Sequence, residues 1–173
     1  MTTILGLDMS SVIQGYAVIC NGVITAHGYH GLSGDIAQRC AHAARNTAAL
    51  LDLYAPTVVV IESPVGQYAK SVIPQARVSG AVLGVLYHRD ALWHEVAPSV
   101  AKRVLAGCGN ANKAQMVMAA ATRLGLRGHI ATKRGKVGLW RDGACVLSED
   151  EADAIGVALA GAALRVVAVG VAA

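Results

Sequence analysis

Residues 4–8, ILGLD, form an apolar segment that ends in a carboxylate, and this segment constrains the fold more than any other part of the chain. Apolar side chains on both sides of a strand are typical of the middle of a sheet. An aspartate at the end of such a strand is costly unless it is solvated, paired or bound to a metal. Asp8 alone could equally be a turn or cap residue, so its meaning depends on the other carboxylates.

Predicted strands and helices follow this segment in a regular order. A second strand covers 15–19, and Asn21-Gly22 is a strong hairpin signal before a third strand over 23–29. The later predictions are a helix over 35–54, a strand over 57–62, a helix over 75–89, a strand over 92–96, helices over 98–106 and 113–124, and a final helix capped by Ser148. This order predicts an α/β protein with a mixed five-stranded sheet and helices on both faces. With no repeat or linker in view, we predict one domain over 1–173.

The segment 126–147 shows no periodicity and is rich in glycine, so we predict a long loop or a small flexible excursion. It carries five basic residues and one tryptophan: Arg127, Lys133, Arg134, Lys136, Arg141 and Trp140. Cations mixed with an aromatic suit contact with a nucleic-acid backbone and stacking on bases. A solvated loop with one anchoring tryptophan is the alternative.

Composition excludes several classes of protein. The chain has 173 residues, is 54% hydrophobic and carries a net charge of +4, which is compatible with a nucleic-acid partner. No apolar run is long enough to span a membrane, and Met1-Thr2-Thr3 lacks a basic signal region, so we predict a cytoplasmic protein. The cysteines and histidines lack metal-ligand spacing, which favours free thiols and packing or surface histidines.

Further carboxylates occur where they could meet Asp8. Glu62 ends a second buried strand, and Asp150 and Asp153 lie on one face in the first turn of the last helix. Carboxylates that converge need counter-charge, which hard divalent cations with oxygen ligands supply. A pair of such ions about 3.5–4 Å apart is the arrangement that cleaves phosphodiesters. For the helix alone, the alternative is an exposed, acidic first turn.

The chain resembles the RuvC-type Holliday junction resolvases through motifs that occur in the same order. They are ILGLD at 4–8, GYAVI at 15–19, VIE at 60–62, QARVSG at 75–80, AP at 97–98 with Lys102, GCGNANK at 107–113, and DEADA at 150–154. The resemblance runs from Ile4 to about Leu164 and leaves only 126–147 unmatched.

This resemblance implies an RNase H-like fold, a homodimer, and paired nicking of four-way DNA junctions with two Mg²⁺ or Mn²⁺ ions at each active site. It implies supporting cations at Lys102 and Lys113. The metal ligands that it implies are Asp8, Glu62, Asp150 and Asp153. Further candidate contacts with DNA are Tyr68, Lys70, Arg77 and Arg103, together with Lys133, Arg134 and Lys136.

Three departures from the family pattern are visible. Met9-Ser10 replaces the usual Pro-Gly, and 126–147 is longer than expected. Bacterial members carry a phenylalanine soon after the glutamate, and this phenylalanine wedges into the junction, whereas the present chain contains no phenylalanine. Tyr68 is the nearest aromatic substitute, although a loop tyrosine is as often a packing residue.

Three other functions remain open at this level. The first is an RNase H-like nuclease acting on other branched DNA, flaps or RNA-containing duplexes, and the second is a non-catalytic DNA-binding relative. An actin-like ATP-binding protein is the third, although the chain is short for one. For the homodimer, the small residues of 75–89 predict a helix that allows close approach of a second copy. Glu149 and Glu151 are expected to be dispensable neighbours of Asp150.

Overall fold

A five-stranded mixed sheet forms the centre of the computed structural model, which describes residues 1–64 and 69–164. The strands are β1 (Thr3–Met9), β2 (Ile13–Cys20), β3 (Val23–Gly31), β4 (Val58–Glu62) and β5 (Trp93–Val96), in the spatial order β3-β2-β1-β4-β5. β1, β2 and β3 pair antiparallel, whereas β4 pairs parallel with both β1 and β5. The apolar segment that opens the chain is therefore the central strand, as its sequence predicts.

Helices cover both faces of this sheet, which confirms the predicted fold class. Alternate residues of β1 and β4 point to opposite faces, and each face has its own apolar core. Helices α1 (Ile36–Tyr54) and α2 (Ala69–His88) pack on one face, and α3 (Pro98–Ala106), α4 (Lys113–Leu124) and α5 (Glu149–Ala163) pack on the other. No helix in the described ranges 1–64 and 69–164 is both long and apolar enough to cross a membrane.

The prediction of a loop over 126–147 is wrong. This segment forms a three-stranded antiparallel sheet, which we call the accessory sheet: β6 (His129–Lys133), β7 (Lys136–Arg141) and β8 (Ala144–Ser148). Arg134-Gly135 and Asp142-Gly143 make its two turns, and all four residues have positive φ, as in the tightest hairpins. Leu139 and Leu147 are buried in the core of the α3–α5 face, so the accessory sheet is anchored to the main fold.

Helix α2 begins at Ala69 rather than at the predicted Gln75. Pro74 lies inside its second turn, where the missing N–H costs the helix one backbone hydrogen bond. The sequence suggests a start after this proline because proline usually disrupts a helix interior. Packing of Val78, Val82 and Leu86 against the sheet stabilises the rest of the helix.

Candidate active site

Two carboxylates lie side by side at one edge of the main sheet. Leu7 of β1 is paired with Ile61 of the parallel strand β4, so the next residues, Asp8 and Glu62, emerge at the same edge. The two carboxyl groups are close enough for each to shift the pKa of the other. The side-chain amide of Gln75 donates to the carbonyl of Met9 (2.7 Å), which fixes the chain immediately after Asp8.

Helix α5 brings two more carboxylates to this edge. Its N-terminus is fixed by a capping box, in which the Ser148 side chain accepts from the backbone N–H of Glu151 (3.2 Å) and the Glu151 side chain accepts from the backbone N–H of Ser148 (2.9 Å). Close packing on the sheet depends on Gly15, where a Cβ would collide with the carbonyl oxygen of Asp150. The first turn of α5 therefore lies directly on the sheet, with Asp150 and Asp153 near Asp8.

Burial and mutual repulsion raise the pKa values of Asp8, Glu62 and Asp153. Burial raises the pKa of Asp8 well above its ordinary value, and the charges of Glu62, Asp153 and Asp150 raise it further. Burial, followed by the charge of Asp153, raises the pKa of Glu62 to about 7. The pKa of Asp153 is raised mainly by burial, against the opposing effect of Lys113. The site thus concentrates negative charge for which solvent offers little compensation.

Lysine side chains provide part of the missing positive charge. Lys113 of α4 forms an ion pair with Oδ2 of Asp153, and Nζ of Lys136 on the accessory sheet lies 2.6 Å from Oδ2 of Asp150. Lys102 of α3 is close enough to lower the pKa values of both Glu62 and Asp153. Sequence reasoning places Lys102 and Lys113 here, but it does not anticipate that Lys136 contacts a predicted metal ligand.

The donor set fits a hard divalent cation. Four carboxylates from three separate segments supply only oxygen donors, and Oδ1 of Asp153 is buried and has no hydrogen-bond partner among the described residues. Among the described residues, no group of three His, Cys, Asp or Glu side chains is arranged as the ligands of one ion. The ion pairs explain this, because Asp150 and Asp153 are each directed toward a lysine.

Glu149 and Glu151 both have structural contacts, and their dispensability for cleavage stays a prediction. Oε2 of Glu149 accepts from the backbone N–H of Val137 (2.9 Å) and joins the accessory sheet to α5. Oε1 of Glu151 lies 2.8 Å from Nδ1 of His27 on β3. These contacts, with those of Ser148, lower the pKa of Glu151 despite its burial. Sequence reasoning treats His27 as a packing or surface residue and gives no signal for this pairing.

The other predicted DNA contacts lie on the surface. Lys70, Arg77, Arg103, Lys133 and Arg134 are all exposed. Lys133 and Arg134 belong to the accessory sheet and its first turn, close to the carboxylates, whereas Lys70 and Arg77 lie on α2. Tyr68, the proposed substitute for the wedge phenylalanine, falls outside the described residues.

Comparison with known proteins identifies relatives of this chain. The profile of the family described as crossover junction endodeoxyribonuclease RuvC matches residues 4–134. A protein of that description from Xanthomonas oryzae pv. oryzae is 30% identical over 176 residues, spanning 97% of this chain and 91% of the relative. A second, from Pelodictyon phaeoclathratiforme, is 31% identical over 134 residues, spanning 71% of this chain and 68% of the relative.

Solved structures of RuvC and of a mitochondrial Holliday junction resolvase share the fold of this chain. Thermus thermophilus RuvC in complex with a Holliday junction substrate superposes with a TM-score of 0.73 at 18% identity, covering 96% of each chain. The yeast mitochondrial Holliday junction resolvase Ydc2 gives a TM-score of 0.65 at 14% identity, covering 92% of this chain and 77% of Ydc2. The expected RNase H-like fold is therefore confirmed.

Proposed function

The chain belongs to the RuvC family of crossover junction endodeoxyribonucleases, and we propose that it resolves four-way DNA junctions by paired, metal-dependent nicks. The observation that carries this proposal is the convergence of Asp8, Glu62, Asp150 and Asp153 at one sheet edge, with raised pKa values for three of them. Such a charge cluster is useful to an enzyme that binds cations beside a phosphodiester. We take the whole of 1–173 as one nuclease domain, acting on DNA in the cytoplasm.

We infer that the four carboxylates hold two Mg²⁺ or Mn²⁺ ions. When bound, such a pair supplies an activated water and Lewis-acid stabilisation of the leaving oxygen. The protein contributes the arrangement of its own groups. The strand ends fix Asp8 and Glu62, and the capped helix fixes Asp150 and Asp153. In the metal-free protein the pKa of the Glu62 carboxyl is about 7, so binding of a cation there near neutral pH is accompanied by loss of a proton.

Lys102 and Lys113 have the position and charge to contact the scissile phosphate. Both lie beside the carboxylates, and Lys113 keeps about half of its side-chain surface exposed (48%) while it pairs with Asp153. An ammonium group that already faces the reaction site can donate to a phosphate oxygen as negative charge develops there. The pairing with Asp153 keeps the Lys113 ammonium in place, and the pKa of Lys113 is raised accordingly.

We propose that exposed cations of several elements guide the junction arms to the site. Lys70 and Arg77 lie on α2, Arg103 lies on α3, and Lys133 and Arg134 lie on the accessory sheet. Each phosphate that such a side chain neutralises releases counterions and makes binding more dependent on salt. This arrangement supports binding of a branched substrate that approaches from more than one side.

We propose a homodimer, because two symmetric nicks need two active sites and the described residues of one chain provide one carboxylate cluster. A surface on α2 supports it: Ile73, Ala76, Gly80, Gly84 and Tyr87 form an exposed stripe along one side of the helix. A Cβ added at Gly80 or Gly84 would meet no atom within 4 Å in the part of the chain that the structure describes. Glycine destabilises a helix interior, so glycines that this fold does not require are consistent with close approach of another helix.

The test is cleavage of a mobile four-way junction by the purified protein, with the nicks mapped. With Mg²⁺ we expect paired nicks at symmetric positions, and with EDTA we expect none. Flap, linear duplex and RNA–DNA hybrid substrates, run in parallel, measure selectivity. Equal cutting of flaps would favour the broader branched-DNA nuclease, and absence of cleavage of every substrate in both Mg²⁺ and Mn²⁺ would contradict an enzymatic role.

A further inference from the structure

A cavity of about 360 Å³ lies between the accessory sheet and the main sheet, next to the carboxylate cluster. Its volume falls within the range of about 300–1,000 Å³ that is usual for small-ligand pockets. The side chains that give it chemical character are Tyr29, Lys133, Arg134, Lys136, Trp140 and Asp150. Three cations therefore face one carboxylate, and two aromatic rings are available, which fits an anion that carries a planar group.

The aromatic side chains are placed to receive such a group. Tyr29 on β3 is 53% exposed. Trp140 on β7 is held by a hydrogen bond from its Nε1–H to the carbonyl of Ala131 (3.3 Å). Nζ of Lys133 lies 3.9 Å from the centroid of the Trp140 ring and occupies the place that a stacked base would take. Base stacking is the stronger of the two contacts at an exposed site, so a base would displace the lysine.

The cations in the cavity suit the phosphate of a nucleotide. Lys133 and Arg134 are exposed and have no carboxylate within ion-pair distance among the described residues. Lys136 pairs with Asp150 but keeps about half of its side-chain surface exposed (49%), so it can reach an incoming phosphate from there. Asp150 belongs to both the cavity wall and the carboxylate cluster, so a nucleotide in this cavity lies adjacent to the reacting phosphate.

We propose that this cavity receives one unpaired nucleotide of the junction strand, next to the nick. Its base stacks on Trp140 and Tyr29, and its phosphate is bound by Lys133, Arg134 and Lys136. The accessory sheet thereby takes part in choosing the position of cleavage. This inference rests on the proposed function, because it requires a DNA junction at the carboxylate cluster.

A thermodynamic cycle between protein and DNA tests the proposal. Binding of a four-way junction is measured with the Asp8→Asn protein, which keeps the DNA uncut, while single nucleotides near the nick are made abasic in turn. At one position we expect the lost base to weaken binding at least about fivefold, which corresponds to the weaker end of base–aromatic stacking. We then add Trp140→Leu or Tyr29→Ala to the protein and compare the same two DNAs again. In either variant, the abasic junction should bind less than about twofold more weakly than the intact junction.

Tyr29 and Trp140 lie on different sheets, so misfolding of the accessory sheet cannot produce both results. Arg141→Ala is the matched control: Arg141 is an exposed cation on β7 that does not line the cavity, and this variant should keep the full abasic effect. Coupling at the same nucleotide for only one of Tyr29 and Trp140, or for neither, overturns the proposal. Nicking by the unmodified protein is measured separately. Normal nicking without coupling refutes only this inference, whereas absence of nicking refutes the proposed function.

Discussion

At the scale of single residues, Asp8 and Asp153 are the most informative positions for the proposed chemistry. Asp8→Asn and Asp153→Asn keep the shape of each side chain but remove a ligand charge. We expect the rate of cleavage to fall more than ~100-fold. Loss of a residue that only hydrogen-bonds to a metal ligand already lowers metal affinity or activity by about 10- to 100-fold. Junction binding should persist, since cations carry the affinity.

A matched control for these variants is Asp52→Asn, because Asp52 is an exposed carboxylate paired with Arg89 far from the sheet edge. This variant should cleave normally. Glu149 and Glu151 are unsuitable controls because both hold α5 in place. If Asp52→Asn were as inactive as Asp153→Asn, the loss could not be attributed to the carboxylate cluster.

Glu62 predicts how the stability of the metal-free protein depends on pH. Its pKa is about 7 in the folded protein, whereas the ordinary pKa of a glutamate carboxyl is 4.5. A group whose pKa is raised by folding stabilises the folded state, and this stabilisation is complete when the pH is below the pKa of the unfolded state. It is lost as the pH rises through the pKa of the folded state. Urea denaturation in EDTA should therefore show stability falling between about pH 5 and pH 8. Glu62→Gln should reduce this fall, and an identical slope in that variant would contradict the assignment.

Lys136 predicts a competition between the accessory sheet and metal at Asp150. Lys136→Met removes the ammonium group from Asp150 and keeps the apolar stem. We expect the DNA-free protein to bind Mn²⁺ up to about fivefold more tightly in calorimetry, the scale of an exposed ion pair. Lys133→Met removes the same charge from the same hairpin but has no carboxylate partner in the described residues, so it should change the affinity less. Equal gains from both variants would indicate a general charge effect.

At the scale of elements, helix α5 carries two of the clustered carboxylates, and a substitution at its N-cap tests how much the cap stabilises the helix. Ser148→Ala removes the side-chain acceptor for the N–H of Glu151 and should destabilise the protein by about 1 kcal/mol, as other N-cap losses do. Urea denaturation measures this loss. Ser33→Ala, at an exposed serine outside any helix, is the comparison and should have little effect. Equal stability of both variants would show that the cap contributes little.

Much of the element pattern is readable from local sequence, and the exceptions have physical causes. β1 and β4 are continuous apolar runs, which are typical of central strands, and Ser148 with Glu151 is a recognisable capping box. The accessory sheet is missed because its strands are short and only partly buried and β6 and β7 carry cations, so apolar alternation is weak. Asp142-Gly143 is nevertheless a strong hairpin signal that could have indicated it.

At the scale of the whole molecule, the carboxylate cluster could be predicted because strand ends and a helix start are set by local sequence. The pairs of Lys136 with Asp150 and His27 with Glu151 could not, since they depend on how distant elements pack. Lys136 approaches Asp150 only because β7 lies beside the start of α5, where Val137 donates to Glu149. Neither sequence spacing nor periodicity contains that information.

The proposed dimer predicts a change in mass for substitutions on the α2 stripe. Gly80→Arg places a bulky cation where two helices would approach each other and should give a monomer in light scattering, with loss of paired nicks. The helix itself should not suffer, because arginine favours helix more than glycine does. Ala41→Arg, at an exposed position on α1, is the control and should remain dimeric. A monomeric unmodified protein that still makes paired nicks would refute the dimer.

The separation of the carboxylates along the chain has a consequence for biosynthesis. The ribosome adds Asp8 long before Asp150 and Asp153, which belong to the last helix that the structure describes. The cluster also needs α5 packed on β1 and β2, where Gly6 and Gly15 leave no room for a side chain. A nascent or partly folded chain therefore lacks the complete carboxylate cluster that we propose as the nuclease site. On this proposal, the protein becomes able to cleave DNA only once α5 has packed on the sheet, so a partly folded chain does not cut DNA.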